Sequence, residues 1–450
     1  MKHEINETHD QNLKSWVESA NDPNTDFPIQ NLPFCTFKHD STEFGSSLGI
    51  RIGNKIIDLS QLLKTEDFSD IFSSKQHIYS SLVSPGFGED SFNRITGFGS
   101  KVNLKFRSRL VKLFGENCTT EKQEKLKNCL LSVTDSSFEV PYKINDYTDF
   151  YCSIYHATNV GKLFRPDNPL MPNYKWIPIG YHGRASSIVP SGTDFKRPKG
   201  QNRSDAEKDP VYIPSKAMDY EMEVGFFVGK GNELGETVDI KNAEDHIFGL
   251  CLVNDWSARD IQGWEYQPLG PFLGKSFTTT VSPFVVTMEA LAPFRTNAFE
   301  REEGDPKPLP YLADENNEKF GGIDINLDVY LTTKKMREDG DEPFLLSRSN
   351  LKDLYWTIGQ MLTHHASNGC NLQVGDLMAT GTMSGKEDSE RGCLLEITKR
   401  GSEPVELPNG ETRKFLEDYD EIIMKGFCER EGFRRIGFGE CRGMVLPADD

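Results

Sequence analysis

The sequence predicts a mainly β protein of the α+β class that carries a few helices. Short apolar runs, separated by Gly and Pro, fill the second half of the chain, as expected for strands and turns. Helical stretches of about 10–15 residues do not alternate with these runs, which favours a mixed or antiparallel sheet over a doubly wound parallel one. The predicted strands are Tyr220–Val228, His246–Val253, Ile323–Thr333, Asp376–Thr380, Leu394–Thr398 and Glu421–Cys428.

The chain divides into three parts by composition. Residues 1–26 are polar and are expected to form a mobile or lightly docked extension. Residues 27–138 contain short strand patterns followed by helical ones, which predicts a small β domain with surrounding helices. A second domain, residues 139–450, follows a junction at Pro141. The elements predicted outside the strands above are Gly49–Ile52, Lys55–Leu59, Leu104–Leu113, Glu121–Leu131 and a helix from the Asn350 cap to Gly369.

Charge and composition exclude several classes of function. The 450 residues include 51 Lys and Arg against 69 Asp and Glu, and the net charge of −18 is the wrong sign for a protein that binds phosphate backbones. We therefore expect no nucleic-acid partner. No run approaches the ~20 apolar residues of a membrane helix, so no membrane partner is expected either.

The cysteines and the N-terminus indicate a cytoplasmic protein. Nine scattered cysteines form no C-x-x-C pair, which argues against a disulfide framework and against a thiolate zinc site. The first residues lack the apolar core of a signal peptide.

Four carboxylates are candidate ligands of a hard cation. Glu221 and Glu223 lie two apart on a predicted strand and therefore share a face, although a solvent-facing edge would show the same pattern. Asp255 follows a buried apolar run, where it could equally cap a turn, and Asp149 lies among aromatic residues. Together the four could form an all-oxygen site suited to Mg²⁺ or Ca²⁺.

Groups suited to proton transfer and anion binding lie near these acids. His156 is a candidate general base, because histidine needs little tuning to act near neutral pH, although most histidines are structural. If the segment from Asp255 is helical, its spacing aligns a carboxylate, a cation, an amide and a phenol on one face, unless this is only a salt-bridged surface. The aligned residues are Asp255, Arg259, Gln262 and Tyr266.

Two further basic residues are candidate anion contacts. Lys275, between Gly and Ser, is either surface charge or a donor to a developing alkoxide. The guanidinium of Arg165 has a planar fork that matches a carboxylate. The pair His364–His365 is not predicted to bind metal, because neighbours on a helix point about 100° apart.

Several long motifs resemble the fumarylacetoacetate hydrolase family. The resemblance runs from about Asp26 to Pro447 and is carried by DYTDFYCSIYHATNVGKLFR, GYHGRASSIV, EMEVGFFVG, HIFGLCLVNDWSARDIQGWEYQPLGPFLGKSF and GDLMATGT. It implies a homodimer in which residues 27–138 form an SH3-like β-barrel and residues 139–450 a mixed β-sandwich roll. The implied reaction is metal-dependent hydrolysis of a carbon–carbon bond in a small dicarboxylate diketo acid, 4-fumarylacetoacetate, at the end of tyrosine and phenylalanine breakdown.

The resemblance also implies a role for each site residue. The metal site, for Mg²⁺ or Ca²⁺, matches Asp149, Glu221, Glu223 and Asp255, with further contacts near Lys275 and Thr279 in which backbone carbonyls are favoured as ligands. His156 matches the water-activating base, Glu396 the carboxylate that orients it, and Arg259, Gln262 and Lys275 the oxyanion donors. The substrate-binding positions are Tyr151, Arg165, Gln262, Tyr266 and Thr382, with Tyr181 a further candidate.

Two other functions are compatible with part of this pattern. A related acylpyruvate hydrolase or oxaloacetate decarboxylase would keep the carboxylates but usually lacks the long N-terminal domain and the context of Arg165 and Tyr266. A non-catalytic protein on the same fold would be expected to lose His156 or Glu396, and both are present.

Overall fold

The computed structural model describes residues 4–40, 45–72, 93, 96–97, 99–203 and 208–449. Within these residues, no helix is both long enough and apolar enough to cross a membrane. The first three residues of the N-terminal extension lie outside the described part of the chain.

The described N-terminal part of the chain contains an antiparallel sheet of five strands. Its first three strands in sequence form a meander in which Phe34 pairs with Ile50 and Ile50 with Ile57, so apolar side chains line one face. Helices cover that face. The strands, in sheet order, are Leu130–Ser132, Lys55–Asp58, Ser46–Ile52, Phe34–His39 and Ser136–Phe138, and the helices are Leu59–Thr65, Ser69–Phe72, Ser100–Phe114 and Thr120–Leu126.

The N-terminal extension is packed more firmly than its polar composition predicts. Its described residues form two short 3₁₀ turns, Glu7–His9 and Glu18–Asn21, and bury Val17 and Ala20 in the N-terminal core. Arg107, a buried residue of the helix Ser100–Phe114, binds the extension to the N-terminal core, since its guanidinium donates to the Thr8 hydroxyl at 2.9 Å. A polar segment is thus docked through hydrogen bonds, which composition does not reveal.

Two larger sheets form the C-terminal part. The main mixed sheet has the order Gly180–Gly183, Tyr147–Phe150, Leu377–Ala379, Met222–Val228, Ile247–Asp255, Thr279–Val281 and Ile188–Pro190, and Val286–Thr287 also pairs with its longest strand. The second sheet has the order Phe344–Asn350, Asn326–Thr332, Glu421–Cys428, Ile436–Leu446 and Phe195–Lys196. Short ribbons are Lys199–Asn202 with Val211–Pro214, Met218–Asp219 with Ser257–Ala258, Arg295–Thr296 with Gly322–Ile323, and Val405–Glu406 with Thr412–Arg413.

Helices pack around these sheets in the described part of the C-terminal region. The α-helices are Ile154–Phe164, Arg259–Glu265, Glu315–Phe320, Lys334–Asp339, Ile358–Ala366 and Leu394–Ile397. The 3₁₀ turns of the whole described chain, besides the two in the extension, are Lys127–Cys129, Ala185–Ser187, Ile240–His246, Ala292–Phe294, Pro310–Leu312, Leu351–Asp353 and Asp388–Glu390.

The main sheet is buried on both faces. Along its longest strand, Leu250 and Leu252 pack into the C-terminal core, whereas Cys251 and Val253 pack into the N-terminal core. Consecutive side chains on a strand point to opposite faces, so a strand between two cores must be apolar throughout. This explains the continuous apolar run, and the predicted fold class, mainly β with a small N-terminal and a larger C-terminal β domain, is confirmed.

Several predicted elements differ in the structure. The run Ile323–Thr333 is divided into the strands Gly322–Ile323 and Asn326–Thr332, and Glu221 lies just before the strand Met222–Val228. Leu394–Ile397 is a helical turn rather than a strand, because a four-residue apolar run has no period that separates the two. The helix placed after Asn350 begins later, at Ile358, where Thr357 forms the capping box, and Asn350 caps only a 3₁₀ turn. The helix predicted over Glu121–Leu131 is Thr120–Leu126, and the 3₁₀ turn Lys127–Cys129 then leads into the strand Leu130–Ser132.

Replacing Arg107 should destabilise the protein through the docked extension. Arg107→Met removes donors to Thr8 and to the Asn31 carbonyl at 2.9 Å, and it leaves buried acceptors unsatisfied. We expect urea unfolding to show a loss of about 3 kcal/mol. Arg109→Met on the same helix is the control, because Arg109 pairs with Asp70 at the surface and should change stability by less than about 1 kcal/mol. Equal effects of the two variants would contradict the proposed anchoring.

Candidate active site

Strand register brings Asp149, Glu223 and Asp255 to one place, and Glu221, just before the strand Met222–Val228, accepts at its backbone carbonyl from Asp255 N at 3.4 Å. Asp149 pairs with Ala379 in the next strand, and Ala379 pairs with Gly225, two residues beyond Glu223. Glu223 lies opposite Val253, two residues before Asp255. Steps of two keep side chains on one face of a sheet, so these acids share a face.

The four carboxylates form one buried cluster. Oxygen atoms of Asp149, Glu221, Glu223 and Asp255 all lie within 4.8 Å of one another. Burial and the nearby carboxylates raise the pKa of Asp149 and of Glu223 well above the ordinary range. Like charges confined without water repel, so the cluster calls for positive charge at its centre.

The cluster fits a hard cation. Both side-chain oxygens of Glu223 and Oδ1 of Asp149 are buried and have no hydrogen-bond donor among the described residues. Buried polar atoms almost always have a hydrogen-bond partner, so these oxygens without a donor indicate the position of a ligand. An all-oxygen donor set suits Mg²⁺ or Ca²⁺ better than zinc.

Neutral and cationic side chains around the cluster donate hydrogen bonds to two of its acids, Glu221 and Asp255. Lys275 Nζ contacts Glu221 Oε2 at 2.6 Å and Asp255 Oδ2 at 2.8 Å. The hydroxyls of Thr279 and Tyr181 donate to the two oxygens of Asp255 at 2.9 Å and 3.0 Å. The side chains of Lys275 and Thr279 therefore contact acids, and the predicted roles of their backbone carbonyls as metal ligands stay predictions.

Lys275 and Glu221 stabilise the charged form of each other. Burial alone would lower the pKa of the Lys275 ammonium, but Asp255 and Glu221 outweigh burial and raise it. Burial alone would raise the pKa of Glu221, but Lys275 and Arg259 outweigh it and lower it. Both groups are thus held in their charged forms.

A histidine–carboxylate pair lies beside the acid cluster. His156 is in the first turn of the helix Ile154–Phe164, which Ser153 caps by accepting from the His156 backbone N–H. Its Nδ1 donates to Glu396 Oε2 at 2.6 Å, and both side chains are buried. A carboxylate at Nδ1 fixes the tautomer that leaves Nε2 as the proton acceptor.

Glu396 is held as a carboxylate by donors that sequence spacing did not identify. Asn159 Nδ2 donates to Oε1 at 2.8 Å, and Ser384 Oγ donates to Oε2 at 2.8 Å. Burial would raise the pKa of Glu396, but the charge and hydrogen bond of His156, aided by these donors, lower it to about 2. Asn159 follows His156 by three residues on a helix, a spacing that could have indicated it. Ser384 had no comparable signal.

The predicted helical alignment that starts at Asp255 is wrong in part. Asp255 ends the strand Ile247–Asp255, and the helix begins at Arg259. Arg259 and Gln262 do lie together, since Arg259 Nη1 donates to Gln262 Oε1 at 3.2 Å. Tyr266 is the C-cap residue, four residues after Gln262, and its hydroxyl accepts from Gln267, so its alignment with Arg259 and Gln262 stays a prediction. The apolar strand overrides the 3.6-residue period as far as Asp255.

The predicted substrate-binding residues differ in how close they are to this network. The Tyr151 ring lies edge-on to His156 with centroids 5.2 Å apart, and Thr382 Oγ1 is buried without a hydrogen-bond partner among the described residues. Arg165, in contrast, is exposed and donates to the Pro169 carbonyl at 3.2 Å. The structure therefore places Tyr151 against the pair, buries Thr382 and leaves Arg165 facing solvent.

Gly381 allows the segment that carries Thr382 to approach the strand that carries Asp149. Its φ of +77° is a left-handed conformation, and a Cβ there would lie 2.2 Å from the Phe150 carbonyl oxygen. The neighbouring Thr380 carbonyl accepts from Cys152 N at 3.0 Å. Only glycine permits this contact.

The fold and the site together match one family of hydrolases. Residues 146–446 match the C-terminal region of fumarylacetoacetate hydrolases, and residues 30–141 match the N-terminal region of fumarylacetoacetase. The chain belongs to the fumarylacetoacetate hydrolase family.

Individual relatives are similar over nearly their whole length. Fumarylacetoacetase of Bos taurus is 48% identical over 442 residues, which cover 96% of this chain and 99% of that protein. The Caenorhabditis elegans protein of the same name is 48% identical over 97% of this chain and 100% of its own. A solved fumarylacetoacetate hydrolase from Exiguobacterium antarcticum has a TM-score of 0.48 at 16% identity, covering 92% of this chain and 99% of its own.

Removing one charge from the acid cluster should weaken cation binding. For Glu223→Gln we expect the Mg²⁺ or Ca²⁺ affinity of chelator-treated protein to fall by roughly 10-fold or more, measured by isothermal titration calorimetry. Because burial and the neighbouring acids both oppose the ionisation of Glu223, the metal-free variant should be no less stable than metal-free wild type.

Glu421→Gln is the matched control for this prediction. Glu421 is also buried, but it pairs with Arg442 at 2.6 Å in the second sheet. It should leave the metal titration unchanged. A Glu223 variant that binds metal as wild type does would contradict a ligand role.

Proposed function

We propose that the protein hydrolyses the carbon–carbon bond of 4-fumarylacetoacetate to fumarate and acetoacetate, the last step of tyrosine and phenylalanine catabolism. The observation that supports this most directly is a buried four-carboxylate cluster beside a His156–Glu396 pair, in a chain 48% identical to a fumarylacetoacetase over almost its full length. Cutting such a bond requires a hydroxide to add to a ketone and a carbanion to leave, and the site offers groups for both.

His156 supplies the general base in this proposal. Its Nε2 removes a proton from water as the water oxygen bonds to the ketone carbon, and the resulting imidazolium is stabilised by the Glu396 carboxylate. When the carbon–carbon bond breaks, its electron pair leaves on the acetoacetate fragment, and the imidazolium returns the proton to that carbon. A carboxylate whose pKa is lowered to about 2 stays charged throughout this cycle near neutral pH.

Arg259, Gln262 and Lys275 supply the donors for negative charge on the attacked oxygen. Arg259 and Lys275 are buried cations held in place by acids, so little reorganisation is needed when charge develops. The Nη2 atom of Arg259 is buried and lacks an acceptor among the described residues, which leaves it available to a substrate oxygen.

Asp149, Glu221, Glu223 and Asp255 would hold the divalent cation, and we propose Mg²⁺ or Ca²⁺. When bound, a divalent cation would supply Lewis acidity that favours the enolate of the departing acetoacetate fragment. A cation among these four acids would explain why they are kept buried in spite of their mutual repulsion.

The remaining predicted contacts would orient the dicarboxylate substrate. We propose that Tyr151, Tyr181 and Thr382 line the reacting end, close to His156 and Asp255, and that Tyr266 and Arg165 meet a terminal carboxylate. For Arg165 this requires its exposed guanidinium to leave the Pro169 carbonyl. A bidentate bond to a carboxylate is stronger than the neutral contact it would replace.

We also propose that the protein acts as a cytoplasmic homodimer. None of the nine cysteines is disulfide-bonded, as expected in a reducing compartment. Exposed apolar side chains at Leu269 and Phe272 would be better covered by a second copy than by water.

A direct assay tests this function. Purified protein, fumarylacetoacetate and Mg²⁺ should give loss of the diketone absorbance with one fumarate and one acetoacetate formed per substrate. Turnover of an acylpyruvate or of oxaloacetate, without turnover of fumarylacetoacetate, would support the related hydrolase or decarboxylase instead, and no turnover at all would support a non-catalytic protein.

His156→Ala should abolish the proton transfer without unfolding the protein. We expect kcat to fall by about 10²–10⁴-fold, while the metal titration remains as in wild type. His364→Ala is the control, because His364 contacts Tyr311 at 3.0 Å away from the pair. Activity of the His156 variant near that of wild type would exclude the base assignment.

Glu396→Gln should reduce activity by disturbing the orientation of His156. An amide accepts only through its oxygen, so the donors on both sides of Glu396 cannot all be satisfied. We expect kcat to fall by about 10²-fold or more, and KM to change little, in steady-state kinetics. A change confined to KM would contradict the role of Glu396.

A further inference from the structure

Asp219 is a fully buried carboxylate to which the proposed mechanism assigns no role. It lies in the short strand Met218–Asp219, two residues before Glu221, and has an exposed fraction of 0%. A buried charge is tolerated only when it is paired and hydrogen-bonded. Tyr220 N donates to Asp219 Oδ1 at 2.9 Å, and the other donors to Asp219 come from two segments that carry proposed catalytic groups.

One set of donors belongs to the turn that carries Glu396. Leu394 N donates to Asp219 Oδ1 at 2.7 Å, and Leu395 N donates to Oδ2 at 2.9 Å. These are the first backbone N–H groups of the turn Leu394–Ile397, which have no partner within the turn itself. Asp219 therefore binds the start of the turn that carries Glu396, and Glu396 accepts from His156.

The other donor is Arg259. Its Nε donates to Asp219 Oδ2 at 2.8 Å, while its Nη1 donates to Glu221 Oε1 at 2.7 Å. Two acids thus hold the guanidinium at two positions of its planar fork, and Nη2 is left without an acceptor in the described part of the chain. The orientation of the free nitrogen is fixed by the contact with Asp219.

We propose that Asp219 is a positioning residue that sets the base and the oxyanion donor relative to each other. A single carboxylate binds both the turn behind Glu396 and the guanidinium of Arg259. Displacing it moves the proton acceptor and the charge stabiliser together. This inference rests on the proposed function, because it concerns the same reaction.

Asp219→Asn is the isosteric test. The amide nitrogen cannot accept a hydrogen bond, so a backbone N–H of the turn loses its acceptor whichever oxygen is replaced, and replacement of Oδ2 also removes the acceptor of Arg259 Nε. We expect kcat for fumarylacetoacetate to fall by about 10²-fold, the size expected when a reacting group is misplaced by about 1 Å, and KM to change less than about 3-fold. Should this variant fail to fold, Asp219→Ser, which keeps one acceptor oxygen, takes its place.

Asp420→Asn is the matched control. Asp420 is equally buried and binds Arg413 through both oxygens at 2.7 Å and 3.0 Å, but its described partners include none of the proposed site residues. It should lower the melting temperature in a similar way and leave kcat unchanged. A purely structural Asp219 would behave in the same manner as this control.

A double-variant cycle measures the energetic coupling between Asp219 and Arg259. If Asp219 acts through Arg259, Asp219→Asn should reduce kcat much less in an Arg259→Lys background than in wild type, because Lys lacks the Nε donor. Additive effects, or a kcat of Asp219→Asn within about 2-fold of wild type, would overturn the inference.

Two measurements separate this inference from the function on which it rests. Turnover of fumarylacetoacetate by the wild type tests the function alone. A crystal structure of Asp219→Asn tests the positioning without substrate: it should show the Glu396 turn or the Arg259 guanidinium displaced, and an unmoved pair would overturn the inference.

Discussion

Mutual repulsion among four buried carboxylates is the constraint around which the rest of the site is built. Oxygens of these acids lie within 4.8 Å of one another inside a low-dielectric interior, so they require positive charge both at their centre and around it. Lys275 and Arg259 provide the surrounding charge through their contacts with Glu221. Both carboxylate oxygens of Glu223 and Oδ1 of Asp149 have no donor in the described part of the chain, which leaves the centre for a cation.

The same charges divide the site into two functional halves. On one side are the acids and their cation position, and on the other the His156–Glu396 pair, whose buried carboxylate keeps a lowered pKa of about 2. Asp219 connects the halves, because it touches Arg259 and the turn of Glu396 at once. The same few contacts therefore both balance the charges of the site and fix its geometry.

A sheet packed on both faces gives this arrangement its rigidity. The strands that carry Asp149, Glu223 and Asp255 are covered on one face by the N-terminal core and on the other by the C-terminal core. Interiors packed in this way allow little movement of the backbone. The N-terminal domain thus supports the platform of the site, even though none of the proposed site residues lies in it.

The amino-acid sequence by itself determined the mainly β class and the buried apolar strand that leads to Asp255, because short apolar runs bounded by turn residues are a local signal. Only the tertiary structure decided that Leu394–Ile397 is helical, that Asp255 lies before the helix and not on it, and that Asn159, Ser384 and Asp219 serve the site. Their partners are separated from them by up to 237 positions, and such contacts depend on strand register and packing, which no local pattern encodes.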